Sequence, residues 1–380
     1  MDQTISRAVG GRKCRGVTVA GVALLIVAVV PRAAMSAELL PPDIRRPVVK
    51  CQADIVKAGV KFVSKKLKQL DRCAASVFEC VHRRPGEQAC LDRATTRCEK
   101  AIGKIIALEG KFTTRILDRC GDLDPATLLA TFGLGYDGVA ADCASDYGAP
   151  LTDAASIAAC IVLQHECLAE RIFDTHEPRA AEFLDLVGAD LGPASCLEDR
   201  GGVGDTIAEP SELRTLGKCQ GALRKASSAF VGQKLKQLGR CLKDLFSCEQ
   251  LDAGDPTCLA RARDRCDKAF AKIEKRVLKL ADGVRKGCAG LSIGVLTAPD
   301  GLGANGLLPL CDSLGVFGIG SSHDYGNCVV RQHECAVDEI ARFAVPRAAA
   351  LLGPAGRSLP GEFFCPTPIP AATPTPVPTP

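Results

Sequence analysis

Twice in 380 residues the chain reads Gln-His-Glu-Cys, at Gln164-His165-Glu166-Cys167 and again at Gln332-His333-Glu334-Cys335. A histidine beside a carboxylate is a minimal kit for general-base work, and imidazole, carboxylate and thiolate are all metal ligands. His165, Glu166, His333 and Glu334 are therefore the candidates for a metal-dependent or hydrolytic site. Other chemistry has little support. There is no His-Glu-x-x-His run and no Cys-x-x-Cys pair, which removes the usual frames of zinc, thioredoxin-type redox and c-type haem. Asp122, Asp124 and Asp137 offer oxygens, but no Asp-rich loop closes on a glutamate as a calcium loop would. No serine is assigned as a nucleophile, no phosphate loop is present, and no cofactor is called for. His82, His176 and His323 show no partner in the sequence.

A His–acid pair on a disulfide-pinned helix is also the arrangement of secreted phospholipases A2. The chain departs from that family where it matters. Glu166 adjoins Cys167, no paired cysteines precede His165, and no glycine-rich calcium loop lies at the matching place. No membership follows.

The elements that position these residues are written in cysteines. Residues 1–37 have the order of an export signal: basic Arg7, Arg12, Lys13 and Arg15, an apolar run Val17–Val30, then small residues with cleavage near Ser36 or Ala37. The apolar run falls short of the roughly 20 residues a membrane span needs. A secreted or periplasmic location is expected, with no transmembrane span in the mature chain. Cleavage would remove Cys14 and leave 20 of the 21 cysteines, an even number suited to disulfides in an oxidising compartment.

Those 20 fall into two sets of ten. Nine members of the first set recur 168 residues later, and the last recurs 169 later. Lys66-Leu67-Lys68-Gln69-Leu70 and Pro178-Arg179-Ala180-Ala181 recur at the same spacing. The expected organisation is a repeat at 38–200, a Gly-rich linker at 201–211, a second repeat at 212–365 and a Pro/Thr tail at 366–380. Each repeat opens with a helical hairpin, 44–120 or 212–288. Val56, Val60, Val63, Leu67 and Leu70 recur at helix-seam spacing, as do Leu91, Ala94, Cys98, Ala101, Ile105, Leu108 and Phe112.

Facing residues of an antiparallel hairpin keep a constant index sum. Cys51–Cys120 and Cys73–Cys98 both sum to 171, and Cys80–Cys90 to 170. Cys219–Cys288, Cys241–Cys266 and Cys248–Cys258 repeat the pattern at 507, 507 and 506. Three rungs per hairpin are expected, because one seam buries little and a disulfide contributes about 2–4 kcal/mol. The following subdomains, 121–199 and 289–365, read as shorter helices: one after an Asp124 cap, one from about Asp153 to Phe173, one from Pro178, and copies near Asn327–Phe343 and Pro346–Leu352. Gly133–Gly138 reads as loop. Here Cys143–Cys160 with Cys167–Cys196, and Cys311–Cys328 with Cys335–Cys365, are preferred over the crossed pairing. The fold class is all-α.

Charge supplies the other candidate. Residues 51–120 hold 15 Lys/Arg against 8 Asp/Glu, and residues 219–288 hold 16 against 8, whereas 121–218 hold 5 against 18. Lys57, Lys61, Lys65, Lys68 and Arg72 follow one helical stripe. Such a stripe suits an acidic polysaccharide, lipopolysaccharide or acidic protein. Its alternative is a solvated face neutralised by the acidic subdomain. Aromatics are 4% of the chain with no Trp, so base stacking has no platform and nucleic acid is disfavoured. The expectation is an exported, non-enzymatic structural or binding protein; the alternative is a metal-dependent or hydrolytic one using the Gln-His-Glu-Cys helix.

Overall fold

The computed structural model describes residues 40–366 apart from 205 and 208, so the signal segment and the tail from 367 lie outside the described residues. The fold is all-α. Two long helices, α1 (Pro42–Arg83) and α2 (Gln88–Cys120), are followed by α3 (Pro125–Leu129), α4 (Ala140–Tyr147), α5 (Ala154–His176) and α6 (Ala180–Asp185). The second half runs α7 (Pro210–Leu251), α8 (Pro256–Gly287), α9 (Ile293–Thr297), α10 (Leu308–Ser313), α11 (Ser322–Ala344) and α12 (Ala348–Leu352). Each of the first six helices starts 168 residues before its counterpart. No strand occurs among the described residues.

Local chemistry explains the helix starts. Proline occupies the first turn of α1, α7 and α8, where its missing N–H costs nothing. The N–H of Ser156 donates to Asp153 Oδ1 at 2.8 Å while the Asp153 N–H donates to Ser156 Oγ at 2.9 Å, a capping box that opens α5. Asp124 does not cap α3 with its side chain; its backbone carbonyl accepts the Thr127 N–H instead. The Gly133–Gly138 stretch is not plain loop: burial of Tyr136 and Val139 winds Tyr136–Val139 into a 3-10 turn.

Six disulfides cross the hairpins: Cys51–Cys120, Cys73–Cys98 and Cys80–Cys90, then Cys219–Cys288, Cys241–Cys266 and Cys248–Cys258. Cys143–Cys160, Cys167–Cys196, Cys311–Cys328 and Cys335–Cys365 tie α5 and α11 to the segments around them. Between α1 and α2 the rungs are joined by Phe62 stacked on Phe112, centroids 5.5 Å apart.

The first residues of the Val56–Leu70 stripe serve a different seam from the one their spacing suggested. Val56 and Val60 share a small apolar void with Leu235 and Leu242 of α7 and Ile340 of α11. Only glycine fits at 239, because a Cβ there would collide with Val56 Cγ1. α1 and α7 run antiparallel: Val56 meets Gly239, and Ser64 faces Gly232. α5 packs against α11, and both also touch α1 and α7. The two halves belong to one compact unit with a shared core.

Polar side chains lock the halves reciprocally. Gln52 donates to the Ala344 carbonyl at 2.5 Å and Gln220 to the His176 carbonyl at 2.8 Å. Arg179 donates to the Asp300 and Gly301 carbonyls at 2.8 and 3.2 Å, and Arg347 to the Gly133 carbonyl at 3.2 Å. The arginine stems lie on Gly303 and Gly135, both at φ +79°, where a side chain would be strained and would also crowd the arginine.

Candidate functional site

The repeated Gln-His-Glu-Cys sits on α5 and α11, and every member is committed inward. Cys167 and Cys335 are in disulfides. Gln164 Oε1 lies 2.6 Å from His165 Nδ1, and Gln332 Oε1 lies 2.7 Å from His333 Nδ1. Both rings are fully buried, with Nε2 unpartnered. His165 packs beside Phe112, and His333 beside the His176 ring at 5.6 Å. Burial holds His165 neutral, with its pKa lowered to about 3, and depresses His333 well below the ordinary range. Neither ring reaches the carboxylate next to it in sequence.

Glu166 and Glu334 instead help to hold two buried lysines. Lys66 Nζ lies 3.1 Å from Glu166 Oε1 and 2.7 Å from Glu170 Oε1. Lys234 Nζ lies 2.8 Å from Asp338 Oδ1, 3.9 Å from Glu334 Oε1 and 2.9 Å from the Glu334 carbonyl. In each half two acids one turn apart on α5 or α11 grip a lysine from α1 or α7. Lys66 and Lys234 precede Cys73 and Cys241 by seven residues, two helical turns, and so lie on the cystine-bearing face. That spacing, together with the repeated Lys-Leu-Lys-Gln-Leu, was the available signal for residues the motif reading passed over. Arg179 and Arg347 carried a similar signal in the repeated Pro-Arg-Ala-Ala.

These centres have restricted chemistry. Burial, then a hydrogen bond that protonated Glu166 donates to Glu109, raises Glu166 to about 7, while Lys66 pulls it back. Burial likewise raises Asp174 to about 7, opposed by Arg200. Among the described residues no group of three or more His, Cys, Asp or Glu is placed to hold a metal ion. Gly290-Leu291-Ser292-Ile293-Gly294 does match nucleophile-elbow spacing, a pattern the motif reading overlooked. Ser292 is a helix cap, accepting from the Val295 N–H at 3.3 Å and donating to Glu212 at 2.8 Å, and no strand precedes it among the described residues.

The basic stripe is arranged differently. Lys57, Lys61, Lys65, Lys68 and Arg72 are all exposed on the side of α1 away from α5, and none forms an ion pair among the described residues. The equivalent face of α7 exposes Lys225, Lys236 and Arg240. Several acids of 121–218 pair with other cations: Glu177 with Arg224, Glu182 with Arg179, Asp142 with Arg342, Asp174 with Arg200. No helix among the described residues is long and apolar enough to cross a membrane. Comparison of the chain with protein-family models, curated proteins and solved structures finds no match.

Proposed function

We propose that the chain is an exported, non-enzymatic binding protein that holds a polyanion on the basic face of α1. Ten disulfides fit an extracellular protein, since such crosslinks persist in oxidising compartments. The observation that carries the finer reading is the unneutralised stripe Lys57, Lys61, Lys65, Lys68 and Arg72. It spans about 22 Å at the helical rise of about 1.5 Å per residue. Among the described residues no acid pairs with it, and Glu177, Glu182, Asp142 and Asp174 of the acidic subdomain pair with other cations. A spaced row of fixed cations on a disulfide-braced helix suits an extended acidic chain such as an acidic polysaccharide, lipopolysaccharide or acidic protein. The residues of the metal or hydrolytic alternative are occupied by internal contacts.

The test is retention of the oxidised full chain on immobilised heparin, an acidic polysaccharide, at low salt. Reversing Lys57, Lys61 and Lys68 to glutamate removes about 1 kcal/mol of attraction per lost positive charge and adds repulsion, so at least roughly hundredfold weaker binding is expected. Unchanged retention in low salt overturns the reading.

A further inference from the structure

Beside α8 lies a cavity of about 270 Å³, close to the lower size of small-molecule pockets, about 300 Å³. Phe270 and Val277 of α8 line it with apolar surface, Glu334 of α11 lines it with a carboxylate, and Arg357 and Ser358 enter from the segment after α12. The two halves differ here. The position of Val277 is Glu109 in the first half, where it hydrogen-bonds Glu166. Arg357 and Ser358 correspond to Ala189 and Asp190. The 3-10 turns Gly353–Ala355 and Pro360–Phe363 that frame this segment have no counterpart among the described residues of the first half.

The charges select the ligand. Glu334 is the loose partner of Lys234, at 3.9 Å against 2.8 Å for Asp338, so its carboxylate is under-used. Glu274 also lines the cavity. The Arg357 guanidinium is spent on Asp267 at 2.7 Å and lies over the Phe270 ring. Arg331, one turn back on α11, donates to the Leu314 carbonyl. The lining is therefore net negative beside an apolar wall.

We propose that this cavity binds a primary ammonium group on a short apolar stem, with the ammonium on Glu334 and the stem along Phe270 and Val277. The site is independent of the basic α1 face. The oxidised full chain is titrated with n-pentylammonium, and with n-pentanol as the neutral control, by calorimetry and NMR. Saturable one-to-one binding of the amine is expected, with the alcohol at least about tenfold weaker, the scale of one charge-assisted hydrogen bond. Glu334→Gln should weaken the amine at least about tenfold on the same ground, and it leaves Asp338 on Lys234. Ser358→Trp should plug the cavity from the loop and abolish binding without touching the lysine centre. Absent saturable binding, equal affinity for the alcohol, or wild-type affinity in either variant overturns the proposal.

Discussion

Lys234 has no exposed surface, yet its ammonium ends among Asp338, Glu334 and the Glu334 carbonyl. Replacing it with methionine keeps the volume and removes the charge. Asp338 keeps one donor, the Gly361 N–H at 2.6 Å, but loses its cation. Stranding a buried charge costs about 3–5 kcal/mol. Unfolding entropy of about 2 cal/mol/K per residue over this chain is near 0.7 kcal/mol/K, so the melting temperature should fall by roughly 4–7 °C at neutral pH. The loss depends on pH. Burial raises the pKa of Asp338 and of Glu334, with Lys234 opposing in both. Carboxyls raised in the folded state contribute stability that is present below the ordinary carboxylate range and lost as pH rises through their folded values. Without the lysine they are raised further, so the penalty should shrink as the pH approaches 4 and the groups take up protons. Melting followed by circular dichroism at pH 4.5 and 7.5 measures both effects. Adding Glu334→Gln and Asp338→Asn should recover most of the loss. A drop as large at pH 4.5 as at 7.5, or no drop at 7.5, refutes the assignment of Lys234 as the counter-ion of this centre.

Two further outcomes are expected. Burial, then Arg179 and Arg224, lowers His82 to about 3 from 6.5, and burial lowers His165 to about 3. A base depressed in this way contributes stability that is present above pH 6.5 and lost as pH falls toward 3; Glu166 and Asp174, raised to about 7, act in the opposite sense. His82→Gln should therefore lose several kcal/mol less stability than the parent between pH 6.5 and 3.5 in denaturant titrations, and an equal loss refutes it. The two halves share one core, and the reciprocal bonds of Arg179 and Arg347 cross between them. Fragments 40–204 and 209–366 should each lack a cooperative melt alone and form a one-to-one complex when co-expressed; a cooperative melt of either fragment by itself contradicts this.

Much of the architecture was legible because it is one-dimensional. Helical periodicity is local, and cysteine spacing in an antiparallel hairpin is arithmetic. Index sums near 171 and 507 lead to rungs such as Cys51–Cys120 and Cys219–Cys288, and those sulfurs are bonded. Export and the Pro/Thr tail are also sequence readings, and they rest on residues outside those described. The Gln-His-Glu-Cys motif was visible but its meaning was not. A histidine beside a glutamate reads as chemistry until the ring is found buried against Gln164 and the carboxylate drawn to Lys66.

Neighbours remote in sequence are set by how the helices pack. Lys66 and Lys68 are the same residue type two positions apart, about 200° around the helix, so one meets Glu166 and Glu170 while the other meets solvent. Val56 and Val60 have hairpin-seam spacing, yet α7 and α11 lie against them, since periodicity names an apolar face but not its partner. Arg179 binds carbonyls more than 120 residues away, and no side-chain pattern announces where a backbone oxygen will be. The helices, the hairpin crosslinks and the placement of charge along them follow from local spacing. Which charges are buried, which stay open and where a cavity remains were decided only when the two halves closed on one core.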